Sequence, residues 1–143
     1  MDYELSETYK QIAEAVIDAV PALHWIRSAG VRISYERSFV DKKSAGRDVL
    51  GECKKVKPEW QLYCPYDFRI IIYKNNITGL SENQIKILLW HELQHIGISE
   101  KDGELEYKIV PHDVEDFHSI LDRFGTRWSA PGTTLPDITD GGG

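Results

Sequence analysis

The stretch Ser81-Glu-Asn-Gln-Ile-Lys-Ile-Leu-Leu-Trp-His-Glu-Leu-Gln-His-Ile-Gly-Ile98 decides how this chain of 143 residues is organised. Ser81 followed three residues later by Gln84 forms a capping box, which marks the N-terminus of a helix. Apolar side chains then recur around most of the helical circumference and leave only a thin polar strip, a pattern typical of a mostly buried helix. The sequence therefore predicts one buried helix that starts after Ser81 and stops near Gly97.

Two histidines and a glutamate lie inside this helix as His91-Glu92-x-x-His95. His91 and His95 are four residues apart, so their imidazoles lie one above the other and both can bind one ion. Glu92 is rotated by about 100° from His91 and can instead accept a proton from a water molecule. If the three were ordinary core and surface residues, ionisable groups would be buried without partners. The spacing therefore predicts zinc (Zn2+) bound by His91 and His95, with Glu92 as the catalytic base.

Composition and charge narrow the class of protein. With 41% hydrophobic and 28% charged residues, the chain has the composition of an ordinary globular domain. Its net charge of −6 and its lack of a long basic run give a nucleic-acid partner no support. No apolar stretch reaches the length of a membrane span, and the acidic N-terminus is unlike a signal peptide. We therefore expect a cytoplasmic protein without a membrane partner, in which Cys53 and Cys64 are free thiols.

Periodicity elsewhere predicts a small α+β domain. An amphipathic helix is expected over residues 6–20, followed by a short helix that ends at Gly30. Strands are predicted at residues 31–37, 47–56, 68–73 and 104–110. The strand over 31–37 is expected to be half-buried with Ser34 and Glu36 toward solvent, and the strand over 68–73 to be central. Gly51 is expected to mark a bulge or a close approach.

The C-terminal part is expected to contain one more helix and a tail. Asp113 is a credible N-cap for a helix over residues 114–124, which Gly125 would close. Residues 126–143 show no periodicity and include two prolines and three terminal glycines. We therefore expect one domain over residues 1–125 and a flexible tail over residues 126–143.

A catalytic zinc site normally has three protein ligands, and the helix supplies two. His112 is the best third candidate, because a strand precedes it and a capped helix follows it. Glu115 and Asp116 are the acidic alternatives. A metzincin site is excluded, since its pattern requires glycine and histidine where this chain has Ile98 and Lys101.

Three further residues are candidates for supporting roles. Asp113 and Asp116 can accept a hydrogen bond from the second ring nitrogen of a ligand histidine. Both can also simply favour the macrodipole at the start of a helix. Tyr107 lies on the strand leading to His112 and is a candidate donor to a developing oxyanion.

The segment Leu88-Leu-Trp-His-Glu-Leu-Gln-His-Ile-Gly97, followed by Pro111-His-Asp-Val-Glu-Asp-Phe117, resembles the putative phage metallopeptidase family. The upstream segments Lys55-Val-Lys-Pro-Glu-Trp60 and Tyr66-Asp-Phe-Arg-Ile-Ile-Ile72 resemble the same family, so that the likeness spans residues 30–124. More distantly the chain is similar to SprT-like proteases, whose zinc ribbon has no counterpart here.

This resemblance implies a zincin-like single domain, with a small mixed sheet packed against the N-terminal helix and the metal-binding helix, and a C-terminal helix. It implies a phage or prophage origin, and hence the cytoplasm of a bacterial host. It also implies ligand roles for His91, His95 and His112 and the general-base role for Glu92.

Three functions fit these observations to different degrees. The first is a zinc-dependent peptidase that acts on a protein or peptide substrate. The second is a metal-dependent hydrolase of another bond, such as an RNA phosphodiester, which the acidic net charge disfavours. The third is a non-catalytic metal-binding interaction protein, which Glu92 disfavours because a structural metal site needs no general base.

Overall fold

The computed structural model describes residues 2–111 and 137–139. Within these residues the chain forms three α-helices, which are α1 (Glu7–Ala19), α2 (His24–Ser28) and α3 (Glu82–Gln94). It also forms eight strands, which are β1 (Tyr3–Leu5), β2 (Ile33–Ser38), β3 (Lys43–Ser44), β4 (Arg47–Asp48), β5 (Gly51–Lys55), β6 (Phe68–Tyr73), β7 (Ile96–Lys101) and β8 (Glu104–Ile109). None of the described helices is long and apolar enough to cross a membrane.

Four of the strands form a mixed sheet in the order β1-β2-β6-β5. Strand β6 is parallel to β2 and antiparallel to β5, while β1 is antiparallel to β2. The apolar run Phe68–Tyr73 is thus the central strand that the sequence predicted. The remaining strands form two separate hairpins, β3–β4 and β7–β8. The expected α+β class with a small mixed sheet is confirmed.

Helices α1 and α3 share one hydrophobic core with one face of this sheet. Ile70 and Ile72 of β6, Leu89 and Leu93 of α3, and Val16 of α1 are all fully buried in it. The predicted capping box is present, since the Ser81 hydroxyl accepts from the Gln84 N–H and the Gln84 side chain accepts from the Ser81 N–H. The N-terminus of α3 is therefore fixed by local bonds, and its sides are fixed by packing.

The predicted end of α3 is wrong by several residues. The helix stops at Gln94, and the backbone enters strand β7 at Ile96. Gly97 is not a helix-terminating residue; a Cβ atom there would lie 2.4 Å from a methyl carbon of Val110. The missing side chain lets the strand pack against Val110, a long-range contact that a local helix-stop rule does not detect.

The segment that follows this helix is mostly strand, although its polar composition is typical of a turn. Strand β7 continues to Lys101, and the reversal needs only Asp102 and Gly103, whose φ angles are 53° and 80°. An Asp-Gly pair is a strong signal for a two-residue hairpin turn, because both central residues adopt positive φ. The sequence therefore contains a local signal for this hairpin, which composition alone does not reveal.

The second face of the sheet is buried at β2, contrary to the prediction for this strand. Ser34 and Glu36 were expected to face solvent, but both are buried. The guanidinium group of Arg69 on β6 donates two hydrogen bonds of 2.8 Å to the Glu36 carboxylate, and the Ser34 hydroxyl donates a third of 3.0 Å. Burial of this carboxylate is possible because its oxygens are paired.

The predicted strand over residues 47–56 is divided. Its first part is β4 of the small hairpin, and its second part, β5, is an edge of the main sheet. The Asn76 side-chain amide donates to the carbonyl groups of Lys42 and Val49 and so holds the chain at the division. Strand β1, which the sequence did not predict, pairs with β2 and forms the opposite edge of the sheet.

Residues 137–139 pack against α3, although the whole tail was expected to be flexible. Ile138 is 1% exposed and belongs to the hydrophobic core. The Lys86 ammonium of α3, which is largely buried, donates to the Asp137 carboxylate at 2.8 Å and to the Thr139 hydroxyl at 2.9 Å. The hydrogen bond from Lys86, and then the one that the Thr139 hydroxyl donates to Asp137, lower the pKa of the Asp137 carboxyl to about 2. The predicted helix over 114–124 and the boundary at residue 125 lie outside the described residues.

Replacing Ile138 by alanine should therefore destabilise the fold. We expect the free energy of unfolding to fall by about 2–5 kcal/mol, the usual cost of removing a buried isoleucine side chain. Leu105→Ala is the control, because Leu105 is 72% exposed and its removal should cost no more than about 0.5 kcal/mol. Urea denaturation measures both variants. Equal stability of the two would show that Ile138 does not belong to the core.

Candidate metal centre

The C-terminal end of α3 brings the three predicted site residues together. His91 and Glu92 lie in the last turn of the helix, and His95 is its C-cap residue. One potential ligand atom from each residue lies within 4.8 Å of the others. The two imidazole rings meet edge to face, with centroids 5.2 Å apart and planes inclined by 71°. This grouping of two nitrogen ligands with a carboxylate fits a zinc ion.

The proton position on His95 also fits a metal ligand. Its Nδ1 atom lies 2.6 Å from the carbonyl oxygen of Val110. A carbonyl oxygen can only accept, so the Nδ1 atom carries the hydrogen. In the neutral ring the Nε2 atom then carries the lone pair, which is the form that binds a metal ion. Most metal-binding histidines are oriented by such a bond to their second nitrogen, which fixes both the tautomer and the ring plane.

The backbone makes a second bond at the same place. The Val110 N–H donates to the His95 carbonyl oxygen at 2.6 Å. His95 and Val110 are thus joined twice, once through the backbone and once through the imidazole. The bond from His95 to Val110 had no signal in the sequence, because the carbonyl group of any residue could have accepted it.

Glu92 is buried between the helix and strand β5. The residue is 3% exposed, and one of its carboxylate oxygens is 4.0 Å from the Nε2 atom of His95. Gly51 of β5 faces it, since a Cβ atom on Gly51 would lie 3.3 Å from the other carboxylate oxygen and 3.2 Å from the Ile71 carbonyl oxygen. The predicted close approach at Gly51 is confirmed. A base held by this packing is restricted to positions near the two imidazoles.

The two cysteines are free, as predicted. Burial raises the pKa of the Cys53 thiol, and the nearby charge of Glu92 raises it further. Both effects favour the protonated thiol of Cys53 over the thiolate. It packs against the hydrophobic core as a small apolar side chain.

The other predicted site residues are not brought into this group by the described part of the chain. His112, Asp113, Glu115 and Asp116 lie outside the described residues, so their roles stay predictions. The ring of Tyr107 packs edge to face against Phe68, with centroids 5.5 Å apart. Its proposed role as an oxyanion donor also stays a prediction.

Comparison with known proteins relates the chain to a family. The family model described as putative phage metallopeptidase matches residues 1–135, which include the metal centre, the sheet and most of the C-terminal segment. No curated protein and no solved structure matches the chain.

Zinc binding should depend on the two helix histidines. We expect His91→Ala and His95→Ala each to weaken zinc affinity by more than about tenfold, since each removes a ligand nitrogen. His24→Ala is the matched control, because the His24 side chain is exposed and, among the described residues, bonds only to the Asp18 carbonyl oxygen. Metal content after dialysis against a weak chelator, measured by mass spectrometry, checks this. Equal zinc retention by all three variants would exclude this centre.

Proposed function

Because the chain belongs to the putative phage metallopeptidase family, we propose that it is a zinc-dependent peptidase of phage or prophage origin. In this proposal His91, His95 and His112 hold the zinc ion and Glu92 is the general base. The observation that carries the proposal is the buried Glu92 carboxylate beside two imidazoles at the end of a buried helix. We also propose that the mixed sheet and α3 form a zincin-like fold.

The residues divide the chemistry between them. A zinc ion held by His91, His95 and His112 would supply positive charge that polarises a peptide carbonyl and lowers the pKa of a water molecule. Glu92 takes a proton from the water while the oxygen of that water attacks the carbonyl carbon. The protonated Glu92 then gives this proton to the nitrogen of the leaving amine as the C–N bond breaks. The burial of Glu92 keeps bulk water from competing for the proton.

The anchored Val110 supports His112 as the third ligand. Both bonds between Val110 and His95 hold the backbone beside the metal centre at this point. His112 follows two residues later, and two residues of chain span at most about 7 Å. A third ligand from a different segment must be held rigidly near the other ligands. The bonds between Val110 and His95 provide this attachment close to the second ligand.

Strand β5 offers a place for the substrate backbone. It forms an edge of the sheet and, among the described strands, is hydrogen-bonded to β6 alone. Its first residue, Gly51, lies against the carboxylate of Glu92. We propose that an extended peptide pairs with the outer edge of β5, so that its scissile bond lies near Glu92.

The third ligand can be identified by metal analysis. We expect His112→Ala to lose zinc as severely as His91→Ala, because both remove one of three ligands. Glu115→Ala and Asp116→Ala should retain it. Zinc retention by His112→Ala together with loss in either acidic variant would replace His112 as the ligand.

Substitution of Glu92 by glutamine tests the peptidase activity. Glutamine keeps the size and hydrogen-bonding capacity of the side chain but cannot accept the proton. Peptide-bond cleavage should therefore fall by about 10²–10⁴-fold, while zinc content stays unchanged. Glu82→Gln, an exposed substitution in the first turn of the same helix, should keep full activity. The measurement counts new peptide ends in a bacterial lysate treated with each protein.

Two results would contradict this assignment. Equal cleavage by wild-type and Glu92→Gln proteins would remove Glu92 as the base. Absence of new peptide ends with the zinc-loaded wild-type protein would favour the non-catalytic binding protein or, if RNA is cleaved instead, the phosphodiesterase.

A further inference from the structure

A cavity of about 330 Å³ lies at the far end of strand β5, and its residues have no role in the metal centre. We call it the lysine cavity, and its lining includes Lys54, Lys55, Lys57, Trp60 and Arg69. Lys54 and Arg69 are directly opposed on β5 and β6. Their neighbours Cys53 and Ile70 pack into the core beneath α3. Because side chains alternate along a strand, Lys54 and Arg69 lie on the sheet face opposite to Glu92, whereas Lys55 belongs to the other face. The lysine cavity, which both lysines line, therefore lies at the end of β5 rather than on one face of the sheet.

The charges of the lysine cavity are only partly compensated. Arg69 is paired with Glu36, and Lys54 lies 3.5 Å from the carboxylate of Glu52. Lys55 and Lys57 form no ion pair with any described residue, and both are exposed. No aspartate or glutamate of the described chain lines the cavity. On a protein whose net charge is −6, this leaves a local excess of two positive charges.

A large exposed aromatic side chain, Trp60, lines the same cavity, and two exposed apolar residues follow it closely in the chain. Trp60 is 60% exposed, and Leu62 and Tyr63 just after it are each 83% exposed. Contiguous exposed apolar groups rimmed by polar residues mark interaction sites. Tryptophan and tyrosine are also the residue types that contribute most to protein–protein binding. The surface therefore fits a ligand that carries negative charge next to apolar groups.

We propose that the lysine cavity binds an acidic segment of the protein substrate and so selects which proteins are cleaved at Glu92. This rests on the proposed peptidase function. Gly51 faces the Glu92 carboxylate, and Lys55 is four residues further along the same strand, which is about 13 Å in an extended chain. A peptide paired with the edge of β5 would reach both places. Its aspartate or glutamate side chains would lie about four residues from the scissile bond.

A peptide fits this surface better than a nucleic acid does. A nucleic-acid strand carries a charge on every nucleotide and needs a series of cations along its path. Here only two lysines of the described cavity lining are uncompensated, and the overall negative charge repels a polyanion. The neighbouring strand edge, in contrast, offers backbone donors and acceptors that pair with a peptide backbone.

Binding can be measured separately from cleavage with the zinc-loaded Glu92→Gln protein. The probe is a fluorescein-labelled 12-residue peptide with three consecutive glutamates beside a leucine, and its control has glutamines instead. We expect the glutamate peptide to bind about tenfold more tightly, and Lys55→Glu with Lys57→Glu to abolish this preference. Lys10→Glu with Lys43→Glu gives the same change in net charge elsewhere and should keep it. Fluorescence anisotropy provides the affinities.

Several outcomes would overturn the lysine cavity as a peptide site. These are equal affinity for the two peptides, or an equal loss of preference in both double variants. Displacement of the peptide by a 12-nucleotide single strand at lower concentration, dependent on Lys55 and Lys57, would assign the site to nucleic acid. The Lys55→Gln, Lys57→Gln variant repeats the test without introduced carboxylates. Circular dichroism compares its fold with that of the parent protein. An unchanged preference for the glutamate peptide in this folded variant would also overturn the proposal.

Cleavage provides the second readout. Wild-type protein acting on a peptide mixture should enrich glutamate and aspartate about four residues from the cut bond on one side. The Lys55→Glu, Lys57→Glu variant should lose this enrichment, whereas Lys10→Glu with Lys43→Glu should retain it. Cleavage without any acidic enrichment would overturn the specificity proposal and leave the peptidase intact. Selective binding without cleavage would overturn the peptidase function instead.

Discussion

The two bonds between His95 and Val110 constrain the rest of the site. One bond ties the helix end to the segment after β8, and the other fixes the ring of a candidate zinc ligand. Together they stop α3 at Gln94, bring the β7–β8 hairpin back to the helix, and hold the chain just before His112. A single pair of residues therefore links the end of the helix, the nitrogen of His95 that carries the proton, and the segment that leads to the next candidate ligand.

The sheet separates two kinds of chemistry. Its helix-covered face is apolar and encloses Glu92, so a carboxylate is held there by packing around it. Its other face carries paired charges, with Glu36 bonded to Arg69 and Glu52 beside Lys54. Strand β6 is buried on both faces as a result. Strand β5 touches both environments, which is why one edge can connect the metal centre with the lysine cavity.

The features that could be predicted from the sequence are those encoded locally. The capping box, the apolar run of β6 and the spacing of His91, Glu92 and His95 need only neighbouring residues, and the structure agrees with each. Most of the features that the sequence did not reveal involve distant partners. The helix end depends on a residue 15 positions away, the burial of Glu36 on one 33 away, and the anchoring of Asp137 on one 51 away. Periodicity contains no information about such contacts.

The ion pair between Lys86 and Asp137 has a consequence for the order in which the protein is made. A ribosome synthesises Lys86 long before the carboxylate that neutralises it, because 51 positions separate the two residues. At ~5–20 residues per second, this interval lasts about 3–10 s. During that time Lys86 of α3 cannot form its ion pair with Asp137. The part of the hydrophobic core that Ile138 fills is also still empty. The packing of the nascent α3 is therefore incomplete in this interval, and the helix exposes apolar surface to chaperones and to the cell's own proteases.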